Sequence, residues 1–114
     1  MGDQGDSSPA IIAGGLTQSQ IDQLKKKHGP LTLCEVKTAE HEFEYFWFKK
    51  PDMKVISAVT KFLASDPLRA NQIYFKNCLV EGDSSAADDV ELFTSLMPYL
   101  TDLVKTFDVQ VKNF

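Results

Sequence analysis

Only two cysteines and two histidines occur in this 114-residue chain, and their scarcity excludes much. Cys34 and Cys78 lie far apart, and neither belongs to a CxxC pair. Zinc-ribbon and thioredoxin-type chemistry therefore lacks its ligands, and the two thiols read as small hydrophobes in regular structure. His28 falls beside a helix C-terminus and His41 in a hairpin turn, with no second ligand at metal spacing for either. No phosphate loop, GxGxxG, GxSxG or HExxH is present. The acidic stretch Glu81, Asp83, Asp88, Asp89, Glu91 lacks the alternating ligands and central glycine of a calcium loop. It reads as a solvated loop followed by carboxylates at a helix N-terminus. Ser84 and Ser85 have no histidine base nearby in sequence, so nucleophilic catalysis is unsupported. The chain is accordingly expected to be no enzyme, with no catalytic residues, no cofactor and no metal.

Long apolar runs are also missing, so no segment reads as a bilayer span and no membrane partner is expected. Positive charge is in short supply: the formal net charge is −4. Phosphate binding needs a clustered basic surface, so nucleic acid is not an expected partner. Lys25, Lys26 and Lys27 form a short basic run, but a helix end explains them through the helix dipole. The charge is uneven, at +3 over residues 16–77 and −5 over residues 78–114. The first residues, Met1 to Asp6, lack a basic leader region, and Ala10-Ile11-Ile12-Ala13 is too short for a signal core. A cytoplasmic location is the expectation.

What is present is apolar and aromatic. Hydrophobic residues make up 43% of the chain, including eight Phe, which is ample for a folded core. A chain of this length reads as one domain and buries roughly two thirds of its unfolded surface. Residues 1–15 hold four Gly, two Ser and two Asp and read as a flexible N-terminal tail, leaving 16–114 as a single α+β domain.

Within that domain, Thr17 and Gln20 stand at capping-box spacing, with Leu16 and Ile21 placed as a hydrophobic staple. The helix they start ends at Gly29-Pro30, and only Ile21 and Leu24 give it an apolar stripe. Residues 31–37 and 42–50 read as a small antiparallel hairpin, about 31–50 in all. Phe43, Tyr45 and Trp47 share one face of its second strand, and Glu44, Phe46 and Phe48 share the other.

Asp52 is placed to cap a helix through about Ala64, and Asp66-Pro67 opens another running to Gly82. Residues 82–88 read as a loop. Asp88 with Glu91 then starts a last helical stretch carrying Leu92, Phe93, Leu96, Leu100, Leu103, Val104, Phe107 and Val111. Pro98 should kink or divide that stretch near Met97. The expected architecture is an N-terminal helix, the hairpin, then three to four helices packed as a helical bundle.

Several of these pieces in this order resemble the small tail assembly chaperones of tailed phages and prophages. They are the aromatic strand Phe46-Trp47-Phe48-Lys49-Lys50-Pro51, the start Asp66-Pro67-Leu68, the run Asn77-Cys78-Leu79-Val80 with Gly82-Asp83, the acidic loop and the Leu/Phe-rich end. The resemblance covers about residues 31–114. It implies a non-enzymatic protein that binds and solubilises the tape-measure protein in the bacterial cytoplasm. Such a protein helps recruit tail-tube subunits and is absent from the finished virion. A holdase needs an exposed apolar strip on a soluble body. Phe46, Trp47 and Phe48 on the strand, with Leu100, Leu103 and Phe107 on the last helix, are the candidate partner-binding residues. Self-association through the last helix is a further expectation. The alternatives are a structural virion component, such as a head–tail joining or minor tail protein, and a small protein-interaction or regulatory module.

Overall fold

The computed structural model describes residues 10–104 and 107–114. The chain is mixed α+β, with four helices and two small antiparallel sheets among the described residues. The first sheet pairs β1 (Ile11–Ala13) with β2 (Leu16–Thr17). Residues 1–9 of the expected tail lie outside the described residues, but Ile11–Ala13 form a strand. Gly14 and Gly15 make the reversal possible, with φ of 53° and 75°, a conformation that favours glycine.

Helix α1 (Gln18–His28) starts as its sequence requires. The Gln20 N–H donates to Thr17 Oγ1 at 3.2 Å, and the Thr17 N–H donates to Gln20 Oε1 at 2.8 Å. The Gly29 N–H closes the helix on the Lys25 carbonyl at 2.8 Å. No residue of α1 is buried, as its two-residue stripe suggests.

The second sheet holds β3 (Leu31–Ala39), β4 (Glu42–Lys49) and β5 (Leu79–Glu81), in the order β3-β4-β5. The hairpin stands where the sequence placed it. Its register pairs Leu33 with Trp47, Cys34 with Phe46 and Glu35 with Tyr45. The third strand was not expected. The preceding helix stops at Cys78, and Leu79–Glu81 pair with β4 instead of running on as helix. Gly82 lets the chain leave the sheet: its φ is 133°, and a Cβ there would sit 2.9 Å from the Tyr45 carbonyl oxygen.

The remaining helices are α2 (Met53–Leu63), α3 (Pro67–Cys78) and α4 (Val90–Leu100). Asp52 accepts from the Val55 N–H at 2.9 Å, and Asp66 from the Arg69 N–H at 3.1 Å. The cap of α4 is Asp89, one residue after the expected Asp88, and it accepts from the Leu92 N–H at 3.0 Å. Asp88 is turned toward α3, where it accepts from Gln72 Nε2 at 3.1 Å and lies 3.6 Å from Lys76 Nζ. The loop before it contains a short 3-10 turn, Ser84–Asp88, with Ala86 and Ala87 buried.

These helices share one core with the sheet. Phe46 and Phe48 of β4 meet Phe75 of α3 edge-on, and Phe75 meets Phe93 of α4. Val55, Val59, Ala70, Leu96 and Leu100 are among the other residues of the cluster. The arrangement is thus helices layered on a sheet face, where three to four helices packed as a helical bundle were expected. The opposite sheet face carries Phe43, Tyr45 and Trp47, so the two aromatic faces are divided as the alternation predicts.

The last helical stretch is shorter than expected. Pro98 lies within α4, which ends two residues later, and a 3-10 turn follows at Thr101–Leu103. Proline removes one helical hydrogen bond and crowds the preceding turn, which favours an end close by. Residues 107–114 have no regular secondary structure. Among the described residues, no helix is long and apolar enough to cross a membrane.

Two core-facing acids predict an alkaline limit. Burial pushes the Tyr74 hydroxyl up to about 12 from an ordinary 10.0, and the hydroxyl donates to the Leu100 carbonyl at 2.9 Å. Burial likewise pushes the Cys78 thiol up to about 11 from 9.0. Between those ordinary and raised values the folded chain holds protons that the unfolded chain has lost. Stability therefore falls as pH rises from about 9 toward 12. Urea midpoints measured across that range should decline, and Tyr74→Phe should lessen the slope; a flat profile would contradict the assignment.

Candidate binding groove

Five of the six candidate partner-binding residues lie inside the protein. Phe46, Phe48 and Leu100 are 0% exposed, and Trp47 and Leu103 are 6% exposed. Each has an identifiable cover. The helical layer closes over Phe46 and Phe48, and Leu100 and Leu103 turn into the same cluster. Trp47 is capped by the β1–β2 turn, where its Nε1–H donates to the Gly14 carbonyl at 3.1 Å. The expected continuous strip of strand and helix residues is therefore absent from the surface. Phe107 alone of the six is exposed, at 89%.

A different concave surface lies at the side of the sheet. Among the described residues, β3 pairs only with β4, so its outer edge is free. In an antiparallel ladder alternate residues direct their N–H and C=O groups toward such an edge. Between that edge and α4 runs an open groove of about 570 Å³. Leu33, Cys34, Val36, Leu96, Tyr99 and Leu103 supply its apolar lining, and Glu35, Lys37 and Asp102 its charge. Tyr99 is 64% exposed at its rim.

Burial pushes the Cys34 thiol up, which favours its protonated form. Among the described residues, no group of three His, Cys, Asp or Glu is gathered as a metal would need. The groove offers apolar contact and backbone hydrogen bonding, the two elements by which a sheet edge receives a polypeptide.

Residues 107–114 are another exposed apolar feature. Phe107, Val109 and Val111 alternate with Asp108, Gln110 and Lys112, and all six are exposed. This period of two is a strand pattern. It is visible in the sequence but is masked there by Leu100, Leu103, Val104 and Phe107, whose spacing also fits a helix.

No family model matches the chain, and no curated protein matches it. Among solved structures, the chain is similar to an uncharacterised protein from Bacillus stearothermophilus. The alignment covers 82% of this chain and 99% of that one, at 23% identity and a TM-score of 0.56. That likeness shows a shared fold alone.

Proposed function

We propose that this chain is a non-enzymatic tail assembly chaperone of a tailed phage or prophage. It acts in the bacterial cytoplasm, holds the tape-measure protein soluble, assists tail-tube assembly and leaves before the virion is complete. The groove between β3 and α4 is the observation that carries the reading. It is apolar, open and bordered by a free strand edge, which suits reversible capture of an apolar stretch of another protein. The rest of the chain is acidic overall, which favours solubility while that surface stays exposed. The resemblance of the motif order along residues 31–114 to the small tail assembly chaperones supports a tape-measure protein as the client.

In this reading Tyr99 is an anchor at the groove rim, since exposed aromatic residues concentrate binding energy on burial. Co-expression with a candidate tape-measure protein tests it. The client should move into the soluble fraction and co-purify with this chain. Tyr99→Asp should reduce the recovered client about tenfold, the effect of losing roughly 1.4 kcal/mol of binding, with the chain's own circular dichroism unchanged. A client that stays insoluble beside the unaltered chain would overturn the proposal.

A further inference from the structure

We infer that the free edge of β3 receives residues 107–114 of a second copy of this chain, added antiparallel as a fourth strand. The inference stands on the groove and the segment themselves and does not depend on the identity of any client.

The dimensions match. Residues 32–37 of β3 line the groove, and residues 107–112 carry the strand alternation. Six residues of either strand span about 20 Å. Cys34 and Val36 turn toward the helical side of the sheet, where they pack against the core. A strand seated there with Phe107, Val109 and Val111 inward meets those two residues together with Leu96, Tyr99 and Leu103. Asp108, Gln110 and Lys112 then share the opposite face with Leu33, Glu35 and Lys37.

Charge selects the direction. The antiparallel register that sets Asp108 beside Lys37 places Val109 against Val36 and Val111 against Cys34. Lys112 then stands diagonal to Glu35, within reach of a long side chain. A parallel strand running from Thr32 to Lys37 would set Lys112 beside Lys37, a like-charge pair.

The position of the segment favours a second copy over the chain's own groove. Leu103 lines the groove, yet Phe107, Val109 and Val111 lie outside it at 80% exposure or more. A return onto the same β3 would have to reverse within Val104, Lys105 and Thr106. That tripeptide has none of the Gly, Pro, Asn or Asp residues that tight turns use. A free sheet edge and a free strand-forming segment each invite uncontrolled association. Mutual capping between two copies removes both, and a client then competes with the partner copy's segment for the same groove.

The test uses the full chain. Light scattering over a concentration series should give at least twice the 12.8 kDa chain mass. Deletion of residues 107–114 should return the chain to monomer with unchanged circular dichroism. Under mild oxidation, Val111→Cys should form a disulfide between copies through Cys34, read as a dimer on a non-reducing gel. Gln110→Cys, facing the other way, should not, and Val111→Cys combined with Cys34→Ser should lose the band. A monomer whose β3 amides exchange freely would overturn the proposal. So would an oligomer that survives the deletion. A Cys34–Val111→Cys bond within one monomer would also overturn it, by seating the segment on its own groove.

Discussion

Phe75→Ala is expected to lower the free energy of unfolding by about 3–5 kcal/mol. The side chain is fully buried, and three rings close around it. Phe48 lies 5.3 Å away at 84°, Phe46 6.4 Å away at 69°, and Phe93 6.0 Å away at 35°. These contacts join β4, α3 and α4, so a cavity at Phe75 weakens the junction of sheet and helices. A domain of this size has about 5–15 kcal/mol in total, so the loss is a large share of its stability. Urea unfolding followed by circular dichroism measures it, with the slope against denaturant unchanged. Phe75→Leu should cost clearly less because it fills much of the space. A loss below about 1 kcal/mol for Phe75→Ala would mean that the aromatic cluster is not the centre of the core.

Trp47→Ala is expected to cost about 3 kcal/mol or more, and to release the first sheet as well. Trp47 is 6% exposed, and its hydrogen bond to Gly14 joins the two sheets. Trp47→Phe keeps an aromatic body and drops the bond, at a cost of about 1 kcal/mol. The reciprocal change is Gly14→Ala. A Cβ there would lie 2.6 Å from Trp47 Nε1 and 2.7 Å from Leu33 Cδ1, at a φ of 53°. Either the turn lifts or the indole moves, and tryptophan emission in the folded protein should shift to the red. An unshifted spectrum would show that the turn does not seal Trp47. Trp47→Ala therefore reports on folding, and a loss of partner binding in that variant would not map a contact.

Local signals in the sequence carried most of the helices. Thr17, Asp52 and Asp66 cap where their spacing to the following turn predicts, because a cap is written in four adjacent residues. The β3–β4 hairpin was legible for a similar reason: its two strands are separated only by Glu40 and His41. β5 was not legible. Leu79–Glu81 is three residues long, follows a helix directly, and becomes a strand only because β4 lies alongside. Tertiary pairing of that kind has no local signature.

The burial of the candidate residues was not legible for a related reason. Alternation told which aromatics share a face, but not what covers each face. Trp47 is covered by a glycine turn 33 residues upstream, within a stretch that reads by composition as a loose tail. At the other end, one apolar pattern fitted two periods. Leu100 and Leu103 belong to the core, whereas Phe107, Val109 and Val111 follow the strand period outside it.

The pairing of β4 with β5 also orders events during synthesis. Trp47 pairs with Glu81 and Phe48 with Leu79, with both α2 and α3 lying between them in the chain. The hairpin can form as soon as it leaves the ribosome, since its contacts are local. Its Phe46–Phe48 face then waits for some thirty more residues, on the order of a few seconds at ordinary elongation rates. During that interval the aromatic-rich strand β4 lacks both its third strand and most of its helical cover. A ribosome pausing between Pro51 and Glu81 would lengthen the exposure.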